Sequence, residues 1–478
     1  MKLTKLIILL TMAVAAITAR ALDVTTAAGT LSTLVGDTHI TELTVSGTMD
    51  YRDFHFIADN LKQLQTLDLT NVTIEGSNRG DRRYWQDAYV ADELPVGALS
   101  GLNVTFVKLP SSLHSIGEAA LAGCRFLVDV TLPSSLDSIG EYAFAGCTAL
   151  TSVTLPASVR VVAAGAFVHC TALTRFEVAP SSRLIRLDAT ALMDCPSLTT
   201  VALGPAIQVI GEQALLGAGV EHLDLTANTS LTEIGDWALA MSPLSEVSLP
   251  LSVTKVGQGA FFYNTGLHVI RLGGHLDSLN DYLLAGTGLQ TAPDLTGVSR
   301  IGNYVFYNVD SLTTVALPAS VAWLGDYAMA GMIGMASLTS NAEEVPELGE
   351  NVWAGVNQKQ VLLVVPDASR EAYQSTEQWM EFLFDTSWLR GDVNNDGEVN
   401  IADVNTLIDI ILGGRFDDAT MMRADVNEDG EIGIGDINAV MDIILNPNSY
   451  TPAMLRARPT GKVYSRQQAT QVAQNEHD

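Results

Sequence analysis

Basic residues are scarce in this chain. Of 478 residues, 26 are Lys or Arg against 54 Asp or Glu, a formal net charge of −28. A protein that tracks a phosphate backbone needs a basic face, so nucleic acid is excluded as the leading ligand. Docking on an anionic membrane through a polybasic patch is excluded on the same ground. Charged residues make up only 17% and hydrophobic ones 47%, which is too apolar for a disordered chain. Catalytic signatures are missing too. There is no G-x-S-x-G, H-E-x-x-H or phosphate loop. Gly257-Gln258-Gly259 begins a dinucleotide pattern, but Phe262 stands where its third glycine belongs. The eight histidines are scattered. No catalytic residue is assigned, and the chain is not expected to be an enzyme.

Long apolar runs are nearly absent. Leu6 to Ala16 is apolar except for Thr11, and it is too short to span a bilayer. Lys2 and Lys5 precede it and Ala19-Arg20-Ala21 follows it, so residues 1–21 read as a secretory signal peptide cleaved after Ala21. The mature chain is expected to be secreted or at the cell surface, with no transmembrane segment.

What is abundant is repetition. SLDSIGEYAFAGCTALTSVTLPA from Ser135 repeats SLHSIGEAALAGCRFLVDVTLPS from Ser112 at a pitch of 23 residues. An apolar landmark recurs at Ile116, Ile139, Val162, Leu187, Ile210, Ile234, Val256, Leu279, Ile301, Leu324 and Leu348. Five residues after each comes another large apolar side chain, from Leu121 and Phe144 through to Trp353. Each unit also carries L-x-x-V-x-L, as at Leu127/Val130/Leu132 and Leu312/Val315/Leu317. The V-x-L alternation has the period of a strand with one buried face, and a following Pro, as at Pro133 and Pro156, ends it. The I-G-x-x-A-F segment predicts a turn and a short helical piece covering the other side. One unit alone cannot bury these faces, so the units must stack into a solenoid. Outward strand positions read Asp129/Thr131, Ser152/Thr154, Arg175/Glu177 and onward to Val269/Arg271, a mixed polar face.

These residues resemble the BspA-type leucine-rich repeat of bacterial surface proteins, over about residues 95–360, with Val364–Phe382 similar to the closing segment of such arrays. The resemblance implies an α/β solenoid and a recognition surface.

Two columns of the repeat bear chemistry. Cys124, Cys147, Cys170 and Cys195 share one, which continues as Ala218, Ser242, Asn264, Thr287 and Val309. A slot for a small side chain suits free buried thiols; disulfides between neighbours are the other reading. The column three residues after the landmark holds Tyr142, Trp237, Tyr282, Tyr304 and Tyr327. Tyr282, Tyr304 and Tyr327 come from successive repeats and form either a packed ridge or a ligand patch.

From Asp392 the pattern changes. DVNNDGEVNIADVNTLIDIIL is followed 33 residues later by DVNEDGEIGIGDINAVMDIIL. A hard cation needs several oxygens and a sharp turn to gather them. The first loop offers Asp392, Asn394, Asp396, the Glu398 carbonyl, Asn400 and Asp403. The second offers Asp425, Asn427, Asp429, the Glu431 carbonyl and Asp436. Gly397 and Gly430 allow the turns. Two Ca2+ ions are expected. Each loop runs into an amphipathic helix, with Val404, Leu407, Ile408, Ile411 and Leu412 repeated as Ile437, Val440, Met441, Ile444 and Leu445. Each loop closes with Asp, and no regular helix is evident before it.

Residues 390–446 therefore resemble a type I dockerin, a small all-α calcium-binding domain. The resemblance implies a cohesin-like domain on a partner protein, met at loop positions ten and eleven: Ile401/Ala402 and Ile434/Gly435. The near symmetry of the halves allows two binding orientations. The expected organisation is a signal peptide (1–21), an N-terminal cap with an irregular repeat (22–94), the solenoid with its closing segment (95–385), the dockerin (386–449) and a disordered tail (450–478). The expected function is exported, non-catalytic recognition. The solenoid binds a protein or glycan, and the dockerin attaches it to a cohesin-bearing scaffold. An adhesin for host matrix proteins and an accessory part of a polysaccharide-degrading assembly are the alternatives.

Overall fold

The computed structural model describes residues 20–77, 89–384, 388–416, 418–427, 429–446, 449 and 456–457. The expected signal peptide lies outside them apart from Arg20 and Ala21, and so does the expected disordered tail apart from Arg456 and Ala457. The chain divides between Leu383 and Phe384 into two compact units.

In the first unit every L-x-x-V-x-L segment is where the period-2 pattern places a strand. Asp129–Thr131, Ser152–Leu155, Arg175–Val178, His222–Asp224, Glu246–Ser248 and Val269–Arg271 belong to parallel ladders. Matching columns face one another, as Arg175 faces Ser152 and Glu246 faces Val269. At the N-terminal end, Ala21–Thr26, Glu42–Met49 and Thr66–Ile74 extend the same parallel arrangement with longer strands. The helix Tyr51–Asn60 buries Phe54 and Ile57. The buried Asp53 carboxylate holds this cap together, accepting from the N–H groups of Gly29, Leu31 and Asp50.

The landmark residues form a second parallel ladder that the periodicity does not reveal. Eight two-residue strands, Glu93–Leu94 through Lys255–Val256, pair in sequence, and four more run from Ser278–Leu279 to Glu347–Leu348. The repeats approach so closely here that a Cβ on Gly140 would lie 2.7 Å from the Ile116 carbonyl oxygen. That close approach suits glycine after the landmark, as at Gly117, Gly140, Gly211 and Gly235, whereas Ala163, Asp188 and Asn280 stand at this position in other repeats.

The short helical pieces expected after the landmark are runs of turns. Alternate N–H groups point along different directions. Ala120 donates back to Gly117 within its repeat, whereas Ala119, Leu121 and Gly123 donate to Glu141, Ala143 and Ala145 of the next. A helix would use all of them within the segment; here half of them tie neighbouring turns together. This alternation needs positive φ at the third residue after the landmark, seen at Ala119, Tyr142, Thr190, Gln213, Trp237, Tyr282, Tyr304 and Tyr327.

The core is a stack of apolar columns. Phe144 and Phe167 are fully buried and stack with centroids 5.0 Å apart. The closing segment seals the C-terminal end. Tyr373 and Trp379 are fully buried, with Trp379 Nε1 donating to the Pro346 carbonyl at 3.1 Å and the Tyr373 hydroxyl 2.8 Å from Ser340 Oγ.

The second unit has helices Ile401–Ile411, Asp418–Ala424 and Ile434–Leu445, and a short antiparallel pair, Trp388–Leu389 with Arg456–Ala457. Its core gathers Val393, Val404, Leu407, Ile410, Ala424, Val426, Ile432, Val440 and Ile443. Two sequence expectations are corrected here. The helix Asp418–Ala424 directly precedes the second loop, although no regular pattern announces it. Of the expected apolar stripes, only Val404, Leu407 and Val440 are buried, while Ile410 and Ile443, outside those stripes, are buried in their place. So small a core covers only a narrow strip of each helix, and it leaves Ile408, Leu412 and Leu445 exposed.

Candidate calcium loops and binding surfaces

Both loops are built on the same backbone hydrogen bonds. In the first, Asp392 is buried and its carboxylate accepts from Asp396 N and Gly397 N at 3.0 and 2.9 Å. Asn394 Oδ1 accepts from Asp396 N, and Asp396 Oδ1 accepts from Glu398 N. Asp403 closes the loop, Oδ1 accepting from Val393 N and Asn394 N and Oδ2 from Asn400 N. The Asn400 side-chain oxygen caps the helix that follows, accepting from Ala402 N. The second loop repeats this. Asp425 Oδ2 accepts from Gly430 N, Asn427 Oδ1 from Asp429 N, and Asp429 Oδ1 from Glu431 N. Asp436 accepts from Asn427 N and Gly433 N. Gly397 and Gly430 have φ of +87° and +92°, as the turn requires.

Electrostatics distinguish these loops from ordinary acidic turns. Burial pushes the Asp392 carboxyl above its usual range, and the nearby charges of Asp403 and Asp396 push the same way, against the amide hydrogen bonds. Burial likewise raises Asp436, with Asp425 and Asp429 adding to it. Residues 386–450 carry a formal −10. An all-oxygen donor set holding buried carboxylates at raised pKa suits a hard divalent cation. Among the described residues no three His, Cys, Asp or Glu side chains already converge as a cage. The carboxylates are instead held by backbone N–H groups, and asparagine and carbonyl oxygens make up much of the set.

The residues expected to meet a partner are accessible. Ile401 is 61% and Ile434 56% exposed, and Ala402 and Gly435 are at least partly accessible beside them. The helical spacing read as core hid further members of the same face. Leu412 is 78% and Leu445 69% exposed, and Ile408 also reaches solvent. Sequence duplication was the available signal, because Ile401, Ile408 and Leu412 recur as Ile434, Met441 and Leu445.

On the solenoid, Tyr282, Tyr304 and Tyr327 do form a ridge. Their rings stack at 4.8 and 5.0 Å with interplanar angles of 3° and 7°. Trp237 lies against Gly259, whose missing side chain makes room for its ring, and reaches Tyr282 at 5.9 Å. Asn351 Nδ2 donates to the Tyr327 hydroxyl and ends the column. Partial burial, with Tyr282 and Tyr327 alongside, pushes the Tyr304 phenol up. Because the rings cover one another's faces, the ridge presents edges and hydroxyls. The outward strand face is polar and partly self-paired, with Arg175 on Glu177 at 2.8 Å and Arg271 on Glu246.

A cavity of about 390 Å³ sits where the strand ladder is interrupted after Val269–Arg271. There Pro293 removes a donor and Asp294 occupies a column that elsewhere holds Leu. Leu272, Leu276 and Val298 form its apolar side, and Asp294 accepts from Thr296 N and Oγ1 at its rim. The four cysteines are free and buried. Each Sγ donates to a carbonyl of the preceding repeat, as Cys147 does to Leu121 at 3.3 Å.

Two parallel ladders per repeat define a leucine-rich-repeat solenoid, here joined to a small helical module with duplicated acidic loops. Residues 93–218, 186–295 and 293–367 match the BspA type leucine rich repeat region, in six copies. The chain belongs to the BspA-type leucine-rich-repeat family. Residues 390–445 match the dockerin type I domain, a calcium-binding class that docks on cohesins. No curated protein matches the chain. Among solved structures, a leucine-rich repeat protein from Bacteroides ovatus is 22% identical, covering 63% of this chain and 89% of its own, with a TM-score of 0.44. A leucine rich cell surface protein from Faecalibacterium prausnitzii is 19% identical, covering 53% and 84%, with a TM-score of 0.30. The pneumococcal vaccine antigen PcpA is 17% identical, covering 59% and 75%, with a TM-score of 0.32. Among the described residues no helix is long and apolar enough to cross a membrane.

Proposed function

We propose that this is an exported, non-catalytic recognition protein. Its solenoid presents a surface to a protein or glycan, and its dockerin module fastens it to a cohesin-like domain on another protein. The observation that carries this reading is the exposed aliphatic face of Ile401, Ile408 and Leu412, which recurs as Ile434 and Leu445 around a half-buried Met441. Solvent-facing aliphatic residues on two helices of a small module mark a contact surface, and its repetition matches a partner that reads either half.

Each loop is proposed to take one Ca2+, held in the first by Asp392, Asn394, Asp396, the Glu398 carbonyl, Asn400 and Asp403. In the second, Asp425, Asn427, Asp429, the Glu431 carbonyl and Asp436 would hold it. The ion would supply the positive charge that the buried carboxylates call for. On the solenoid, the Tyr282/Tyr304/Tyr327 ridge favours a protein ligand over a sugar ring, because stacking on a pyranose needs a free aromatic face.

The test is capture from a surface extract of the source organism with the intact protein and with Asp392→Ala/Asp425→Ala, each with calcium or with chelator. One major cohesin-bearing partner, lost in the variant and on chelation, is the expected result. Capture that survives both would make the solenoid the working surface and put the adhesin reading first.

A further inference from the structure

Arg390 and Arg423 stand 33 residues apart, the interval that separates the two loops, each two residues before its loop's first aspartate. Each guanidinium reaches the other loop, and Arg423 Nη2 also donates to Thr420 Oγ1 at 3.0 Å. Arg390 Nε donates to the Val426 carbonyl in the second loop at 2.6 Å, and Arg423 Nε donates to the Val393 carbonyl in the first at 3.2 Å. The two contacts are the same contact exchanged between the halves. Val393 and Val426 are buried members of the module's core, and each lies between the first two donor side chains of its loop. In the first loop this stretch is held from both sides. Val393 N and Asn394 N donate to Asp403, and the Val393 carbonyl accepts from Arg423. In the second, Asn427 N donates to Asp436 while the Val426 carbonyl accepts from Arg390. Residues 386–450 contain only three basic residues, Arg390, Arg415 and Arg423. In so acidic a segment, two of the three lie across the module in symmetry-related places, which random solvation of a charged surface does not produce.

We propose that Arg390 and Arg423 are positioning residues that brace the two calcium loops against each other, so that calcium at one loop raises the affinity of the other. The proposal rests on the calcium reading above. Ordering the second loop fixes Asp425 and Val426, and with them the adjacent Arg423, whose Nε then holds the Val393 peptide between Asp392 and Asn394. The reverse path runs through Arg390 to Val426, and linkage makes the two effects equal.

The test is a crossover measured by calorimetric calcium titration of the full chain, with circular dichroism at saturating calcium to confirm folding. In an Asp425→Ala background only the first loop reports. There Arg423→Ala weakens calcium binding about tenfold or more, as loss of an outer-shell partner does, while Arg390→Ala changes it by less than about twofold. In an Asp392→Ala background the roles exchange. With both loops intact, binding is cooperative, and the Arg390→Ala/Arg423→Ala double variant loses that cooperativity. If each arginine affects its own adjacent loop, or both affect both loops equally, the brace is overturned. If an alanine variant does not fold, Arg390→Gln and Arg423→Gln read the same crossover. Absence of calcium binding by the unaltered protein would sink the calcium reading itself, an outcome distinct from binding without crossover.

Discussion

The thiol column shows how one position of a repeat meets a backbone need. Cys124, Cys147, Cys170 and Cys195 each donate to a carbonyl of the preceding repeat, and Ser242 and Asn264 do the same farther along. Burial raises the Cys124 and Cys195 thiols from 9.0 to about 12 and raises Cys147 and Cys170 as well. The thiolate is the reactive form, so the native protein should resist thiol reagents at pH 8 and release four reactive thiols in denaturant. The shift also has a stability consequence. Above pH 9 the unfolded chain loses these protons while the native state keeps them. The stabilisation is complete below pH 9 and is lost as pH climbs toward 12. Urea midpoints compared at pH 8 and pH 10 should fall, and replacing all four cysteines with serine should flatten that fall. An unchanged slope would mean the thiols are not the cause. The tyrosine ridge illustrates a different constraint. Tyr282, Tyr304 and Tyr327 sit at φ between +53° and +59°, a region that costs a side chain with a Cβ. Ala119, Thr190 and Gln213 adopt the same φ without a ring, so the turn pattern and not the stacking sets this conformation.

At the scale of elements, the two dockerin helices are near copies that each bury one apolar face and leave further aliphatic residues exposed, Ile401, Ile408 and Leu412 by the first and Ile434 and Leu445 by the second. A partner able to use either face should tolerate loss of one. Ile401→Asp alone and Ile434→Asp alone are each expected to leave cohesin affinity within about threefold, and the double variant to abolish binding, since a few centrally buried residues carry most of an interface's binding energy. Surface plasmon resonance with the captured partner checks this, and a large loss from either single change rules out interchangeable halves. The same helices show where pattern reading stops. Leu412 and Leu445 fit a buried stripe by spacing, yet they face solvent, because periodicity records which residues share a face and not what covers it. The V-x-L strands were legible since alternation is their physical signature. The landmark ladder was not, because two-residue strands give no period. Nor was the replacement of helix by turns, which depends on positive φ at Tyr142 or Thr190, residues with no left-handed preference of their own. The proposed calcium donors stand in the sequence as oxygen types at fixed intervals, and the hydrogen-bonded loops place them in matching positions. The exchange of Arg390 and Arg423 between loops required coordinates.

For the whole molecule, the two units differ in what stabilises them. The solenoid's continuous apolar core and paired ladders do not depend on charge neutralisation. Among the described residues, the C-terminal unit has a core of nine buried hydrophobic side chains, and residues 386–450 carry a formal −10. Burial is the main influence raising Asp392 and Asp436, because it disfavours their ionised forms. Calcium at 100 times its dissociation constant would add about 2.7 kcal/mol per site to a unit of this size, a large share of what so small a core supplies. Thermal unfolding followed by calorimetry should therefore show two transitions in calcium. Chelator should lower or erase the transition of the C-terminal unit and leave that of the solenoid where it was. High salt should restore part of the loss by screening the acidic cluster, and calcium should restore all of it. If chelator shifts both transitions equally, the loops contribute to the fold as a whole and the division of labour between the two units fails.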